Sequence, residues 1–174
     1  QRLPVDSIIA ASERALKGDA CNSTAWENVA RGWQQKVDTL KSIDAFIGGL
    51  ACDERNSSRR MAIAQLLRQM KQYQRAADLL DAGLKVVPGD QQLLDLKTRV
   101  CIEGSIWKCA VSGLMAQAQH DSALLKDTSF LKTAIGAAQQ APDTQAFLAL
   151  TAAAVRNFPT NQAFLKTRGA AFEM

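Results

Sequence analysis

The sequence predicts an all-α protein built from repeated helical hairpins. Its 174 residues include only four prolines and ten glycines, and alanine, leucine, glutamine, lysine and arginine occur throughout, a composition typical of helices. No segment alternates strictly between apolar and polar residues, as a half-buried strand would. Instead, apolar and small residues return in the same helical phase at steps of about 34 residues. Such a period predicts helix pairs that stack on their neighbours.

The stretch from residue 60 to residue 88 is the clearest copy of the repeat. Small residues on both predicted helices allow close approach, and leucines fill the space between them. The motif positions are Ile63, Ala64, Leu67, Ala76, Leu80 and Pro88. This spacing resembles the tetratricopeptide repeat (TPR). The resemblance implies an α-solenoid of helical hairpins wound into a right-handed superhelix, whose usual role is to hold a protein partner.

The same motif, moved along the chain, divides it into six segments. Lys97 and Thr98 replace the apolar-plus-small pair in one of them, and Pro159 falls three residues late. We therefore expect an insertion at 123–127 that produces either a longer second helix or a looser joint. The predicted segments are 4–18 (second helix of an incomplete repeat), 23–56, 57–90, 91–127 (degenerate, with the insertion), 128–161 and 162–174 (first helix of an incomplete repeat). The incomplete segments would leave apolar faces open, which predicts self-association through those ends.

Polar side chains at the predicted turns are candidate helix caps. Thr24 followed by Glu27 predicts a capping box. Asn22 and Asn56 begin N-glycosylation sequons, but a capping role explains the same residues and is favoured. Asp127-Thr128 and Thr160-Asn161 carry oxygen atoms that can accept from the first N–H groups of a helix. Each of these sites marks a predicted boundary between repeats.

Several function classes are disfavoured by the sequence. The net charge is +4 and the pI about 9.0, but basic residues are mixed with acids and lack interleaved aromatics, so nucleic-acid binding is not expected. The longest weakly polar run, 146–155, is too short to span a membrane. His120 is the one histidine, with no nucleophile arranged beside it, and no glycine-rich phosphate loop occurs. We expect no catalysis, no cofactor and no metal.

The four cysteines lack the C-x2-C spacing of a zinc site. In a reducing cytoplasm they would be small buried side chains. In an oxidising compartment, Cys101 and Cys109 would face each other across a hairpin turn, and Cys21 and Cys52 form a second, less secure candidate pair. The even count and the one well-placed pair favour a periplasmic or otherwise exported protein over a cytoplasmic one.

The resemblance also implies that the first helices line a concave groove that selects the ligand. Five of the candidate side chains are cationic and two are acidic, which suggests an acidic partner. Met61 and Gln65 stand where some relatives carry a Lys/Asn clamp that binds the C-terminal tails of chaperones. A chaperone tail is therefore disfavoured as the ligand. The candidates are Glu27, Arg31, Gln34, Met61, Gln65, Arg68, Asp95, Arg99, Lys132, Gln139 and Lys166.

Two functional hypotheses follow from the resemblance. The first is a non-catalytic scaffold that binds a protein or peptide, as a segment of a bacterial periplasmic TPR array in a secretion or exopolysaccharide-export assembly. The alternative is a sensor or ligand-binding module whose cationic groove takes an anionic glycan or a small ligand. Neither hypothesis involves nucleic acid or a membrane span.

Overall fold

The computed structural model describes residues 4–171, which form ten α-helices, one 3₁₀ helix and no strand. The fold is therefore all-α, as the sequence predicts. The helices are α1 (Val5–Gly18), α2 (Ser23–Gln35), α3 (Thr39–Cys52), α4 (Ser57–Gln69), α5 (Tyr73–Val86), α6 (Gln91–Glu103), α7 (Trp107–His120), α8 (Thr128–Gln140), α9 (Thr144–Asn157) and α10 (Gln162–Ala170). Residues 172–174 of the predicted final segment, Phe172 among them, lie outside the described residues.

Helix lengths and spacings repeat along the chain. The first helices α2, α4, α6 and α8 each have 13 residues, and the second helices α3, α5, α7 and α9 each have 14. Ser23, Ser57 and Gln91 begin successive first helices at equal steps. Three residues join the two helices of a hairpin, a length typical of antiparallel neighbours. The helix starts are thus in step with the predicted repeats, whose boundaries stay a prediction.

The chain divides into two compact units, one ending at Leu93 and the other beginning at Leu94. In the first unit, consecutive helices from α1 to α5 pack against each other. In the second, α7 packs on α8, α8 on α9 and α9 on α10. Helix α6 contains the boundary between the units.

The turn inside each of the first three hairpins passes through a left-handed residue. Val37, Lys71 and Ser105 have φ angles of 59°, 58° and 55°. A left-handed residue ends the first helix sharply, and the backbone N–H groups of the turn bond back to its last carbonyls, for example Asp38 N to Trp33 O at 2.9 Å. None of the three is a glycine, although glycine adopts this conformation most easily.

Small buried residues let the helices of a hairpin approach closely. Ala30 and Ala64 on first helices, and Ala76 and Ala110 on second helices, are fully buried. In the third hairpin Thr98 replaces the alanine and is buried too, with its hydroxyl donating to the carbonyl of Leu94 at 2.8 Å. The hydroxyl is satisfied within its own helix, so threonine is tolerated at this position.

Asparagine and aspartate cap the first helices. The side chain of Asn22 accepts from Ala25 N, and that of Asn56 accepts from Arg59 N, both at 2.9 Å. The capping role predicted for these asparagines is therefore confirmed, as it is for Asp127 and Asn161. The capping box predicted at Thr24 and Glu27 is wrong, because α2 begins one residue before Thr24 with Asn22 as its cap.

The predicted insertion forms a separate short element. Residues Ser122–Lys126 are a 3₁₀ helix that packs against α7, α8 and α9, and α7 itself keeps its 14 residues. The extra residues therefore lie between hairpins and do not lengthen a second helix. Within residues 4–171, no helix has both the length and the apolarity that crossing a bilayer requires.

Candidate functional site

A polar cavity of about 710 Å³ opens in the first unit, between α2 and α4. Helix α2 contributes Ser23, Thr24, Glu27, Asn28, Arg31 and Gln34. Helix α4 contributes Ser58, Arg59 and Ala62, and Phe46 and Asn56 complete the lining. Adjacent first helices therefore supply most of the wall, with side chains that are mainly polar.

The α2 wall follows from helical spacing. Glu27, Arg31 and Gln34 are four and three residues apart, so they share one face of the helix. The opposite face buries Val29 and Ala30 in the hairpin core. The apolar residues fix the rotation of α2, and this rotation turns the polar row towards the cavity.

One ion pair crosses this wall. Arg31 Nε donates to Glu27 Oε1 at 2.7 Å, with the arginine side chain 69% exposed. An exposed pair of this kind contributes about 0.3–0.5 kcal/mol. Both side chains can therefore exchange this contact for a ligand at little cost.

Arg59, in the first turn of α4, is the least expected residue of the cavity wall. It is only 5% exposed. Its Nη1 donates to the carbonyl of Gly49 at 2.6 Å, and its Nη2 donates to the carbonyl and hydroxyl oxygens of Ser23 at 3.3 and 3.0 Å. The guanidinium thus ties α4 to the end of α3 and the start of α2.

The neighbouring Arg60 is buried as well but lies outside this cavity. Its guanidinium donates to the carbonyls of Leu79 and Glu54, at 3.3 and 2.8 Å. Burial lowers the pKa of Arg60, and the Glu54 carboxylate opposes that shift. Arg60 thus joins α4 to α5 and to the turn before α4, and its role is structural.

The predicted groove residues of the first unit fall into two groups. Glu27, Arg31 and Gln34 line the cavity, whereas Met61, Gln65 and Arg68 are not among its lining residues. The α4 residues Ser58 and Ala62, which do line the cavity, lie three residues before the predicted Met61 and Gln65. Thr24 and Asn28 on α2 hold the same repeat positions as Ser58 and Ala62 on α4, and all four line the cavity. Repeat position therefore accounts for part of the wall, but the positions of Glu27, Arg31 and Gln34 do not recur in the α4 lining.

In the second unit the predicted residues lie on α6, α8 and α10. Arg99, Lys132, Gln139 and Lys166 are exposed. The Asp95 carboxylate accepts from the Gln117 amide at 2.7 Å. Asp95 thereby links the two helices of its own hairpin.

The sequence pattern did not indicate four of the cavity residues, namely Ser23, Asn28, Ser58 and Arg59. Arg59-Arg60 carried a usable signal, since cations in the first turn of a helix oppose its dipole and need another reason to be there. That reason is the set of carbonyl oxygens they reach.

The structure joins the cysteines in two disulfides. Cys101 on α6 and Cys109 on α7 have Cα atoms 5.8 Å apart, and Cys21 and Cys52 have Cα atoms 5.5 Å apart. Cys21 lies in the turn before α2 and Cys52 is the last residue of α3. This second bridge therefore fastens the same α2–α3 corner that Arg59 reaches from α4.

Comparisons with known proteins define the fold class. The structure of YrrB, described as a TPR protein with an unusual peptide-binding site, matches 95% of this chain and 84% of its own, with 15% identity and a TM-score of 0.58. MamA from Desulfovibrio magneticus RS-1 matches 87% and 89% with 15% identity and a TM-score of 0.56. One chain of Naa15/Naa10 bound to HypK-THB matches 97% of this chain over 26% of its own, with 14% identity and a TM-score of 0.67.

These likenesses show an α-solenoid of TPR-type helical hairpins. No family model matches the sequence, and no curated protein matches it either. The identities are low, so the comparisons establish the fold alone.

Proposed function

We propose that this chain is a non-catalytic protein-interaction module that holds a peptide segment of its partner in the α2/α4 cavity. The proposal depends on the polar side chains of α2 from Glu27 to Gln34, which line the cavity. The ion pair between Arg31 and Glu27 is exposed and weak, so both side chains can bind a ligand. A main chain that binds there needs such donors and acceptors. YrrB, which shares the fold, is described as having a peptide-binding site.

We further place the module in an oxidising compartment, as a periplasmic segment of a bacterial secretion or exopolysaccharide-export assembly. The two cysteine pairs support an exported location, because disulfides persist mainly outside the reducing cytoplasm.

Peptide selection tests the binding function. A displayed library of random peptides is selected on the purified chain, and the affinities of selected peptides are then measured for two variants. Gln34→Trp places a bulky ring at the cavity wall and should weaken binding at least tenfold. Gln69→Trp makes the same change at an exposed position on α4 outside the lining and should leave affinity unchanged. Equal effects of the two variants, or a selection that yields no binder, would contradict the proposal.

A module for an anionic glycan or small ligand is the second candidate. Arg99 on α6 and Lys132 on α8 favour it, since both are exposed and neither makes an ion pair within residues 4–171. Reversing both to glutamate should slow association with a uronate oligosaccharide and reduce its salt dependence. Reversing Lys108 and Lys126, which are exposed cations elsewhere in the same unit, is the matched control. If reversal of the control pair slows association equally, general surface charge, and not Arg99 and Lys132 in particular, causes the effect.

A further inference from the structure

Arg59 is a buried cation of the cavity wall, and no carboxylate among residues 4–171 pairs with it. Its three hydrogen bonds all go to neutral oxygens, on Gly49 and Ser23. Its Nε atom is buried and has no hydrogen-bond partner, and Arg59 forms no ion pair within the described part of the chain. Buried arginines are normally paired with a carboxylate, because an isolated charge is costly to remove from water.

The protein compensates this charge only in part. Gly49 is among the last four residues of α3, whose carbonyls have no partner inside the helix and carry about half a negative charge together. Arg59 therefore satisfies a free carbonyl at the end of α3 and gains a fraction of a counter-charge. Arg59 is also one of the residues that line the cavity of about 710 Å³, which is large enough for a ligand.

The other charged groups of the lining can adapt to an anion. Among residues 4–171, Arg31 forms one ion pair, an exposed contact with Glu27. If a ligand carboxylate took over Arg31, the Glu27 carboxylate would remain beside it as a like charge. In the free protein, Glu27 therefore competes with a ligand carboxylate for the Arg31 guanidinium. Asn28 and Gln34 add amide N–H donors along the same wall.

We propose that the α2/α4 cavity is a carboxylate subsite, in which Arg59 supplies the fixed positive pole and Arg31 is a mobile contact that exchanges Glu27 for the carboxylate of a bound peptide. The inference rests on the proposed peptide-binding function and adds the chemical class of the group recognised. A peptide can offer that group from an Asp or Glu side chain or from its free C-terminus.

Three small probes separate these sources in an NMR titration of the full chain. N-acetyl-glutamate N-methylamide offers a side-chain carboxylate, N-acetyl-alanine offers a terminal one, and N-acetyl-glutamine N-methylamide is the neutral isostere. The signals followed are the Ser58 backbone amide and the Arg31 Nε–H group. At least one carboxylate probe should shift both signals to saturation with a Kd at least tenfold lower than that of the glutamine probe.

Substitutions of the mobile pair give a result that general charge attraction would not. Glu27→Gln should lower the Kd of the carboxylate probe about three- to tenfold, and Arg31→Gln should raise it by a similar factor. Asp44→Asn, an exposed carboxylate on α3, is the control for removal of one negative charge from the first unit. If Asp44→Asn tightens binding as much as Glu27→Gln, the competition between Glu27 and the ligand is not the cause.

Arg59 is tested by Arg59→Lys, which keeps the charge but cannot reproduce the three hydrogen bonds. Its melting curve is recorded beside the titration; if the variant is unfolded, the Glu27 and Arg31 variants decide the matter alone. Equal Kd values for the glutamate and glutamine probes would overturn the inference. A uronate oligosaccharide also carries carboxylates, so tighter binding of it than of either carboxylate probe would overturn the assignment of the subsite to a peptide. If selected peptides still lose affinity with Gln34→Trp, the peptide-binding function survives that result.

Discussion

The Thr98 side chain on α6 fills the space where Gly113 on α7 would carry a Cβ atom. The third hairpin therefore depends on a contact between a threonine and a glycine, with the threonine only 3% exposed. Gly113→Ala should lower the free energy of unfolding by about 1–3 kcal/mol, the usual cost of overpacking. Urea unfolding followed by circular dichroism measures the difference.

Two further variants make this prediction specific. Thr98→Ala combined with Gly113→Ala should recover part of the loss, because the clash needs both side chains. Gly136→Ala on α8 is the control, since nothing lies within 4 Å of its added Cβ, and it should stabilise by about 0.5–1 kcal/mol through helix propensity. A double variant no more stable than Gly113→Ala alone would mean that the contact is not the cause.

Val37 carries backbone strain that a substitution can remove. It has φ of 59° and a side chain 85% exposed, so it lies in a left-handed conformation without packing in return. Val37→Asn should raise the free energy of unfolding by about 1 kcal/mol, since asparagine tolerates this conformation better than a β-branched residue. Val37→Ala keeps a Cβ with no side-chain hydrogen bonding and should gain less. Thermal melts of the three proteins that coincide would refute the strain.

The disulfides should contribute unequally to stability. On the chain-entropy estimate, closing the short loop from Cys101 to Cys109 stabilises by about 2–3 kcal/mol and closing the longer loop from Cys21 to Cys52 by about 4 kcal/mol. The double serine variant of the second pair should therefore melt at a lower temperature. Mass spectrometry of non-reduced peptides checks the bonds themselves, and free thiols at all four positions in protein purified without reductant would contradict the proposed exported location.

Asp90 makes stability depend on pH. It accepts from the Ser57 hydroxyl at 2.5 Å and from Leu93 N at 3.1 Å, and the Ser57 bond is the main reason that its pKa is lowered from the ordinary 3.8. A lowered folded-state pKa gives stability that is present above the ordinary value and lost as pH falls through the folded value. Wild type should therefore exceed Asp90→Asn by about 0.3–1 kcal/mol near neutral pH.

Urea unfolding between about pH 6 and pH 2 measures the difference in free energy of unfolding between wild type and Asp90→Asn. Asn still caps the start of α6, so the comparison isolates the charge. The two proteins should converge in acid, below the lowered pKa of Asp90. A difference that stays constant across the range would assign the stability to hydrogen-bond geometry, and Asp44→Asn controls for the general loss of one carboxylate.

The sequence predicts the hairpins well because their signals are local. Ala64 and Ala76 lie in helical phase with their repeats, and the caps Asn22 and Asn56 precede the helices they bond to. Part of the cavity wall is also local, since Glu27, Arg31 and Gln34 share a helix face. The burial of Arg59 is not local: it depends on oxygens of Gly49 and Ser23, which are 10 and 36 residues away, and on which edge of α4 faces α2.

The connections of the chain differ in how they accommodate a change of length. Three residues link the helices inside every hairpin from α2 to α9, whereas the connection between α7 and α8 holds the 3₁₀ helix and is longer than the others between hairpins. In the first three hairpins the turn passes through one left-handed residue at the same position, so an added residue there would rotate the second helix away from its partner. The joints between hairpins have no such requirement. Insertions and deletions in proteins descended from a common ancestor should accordingly collect at these joints, and the α7–α8 joint is where a peptide tag or a whole guest domain can be inserted with the least disturbance of the hairpins.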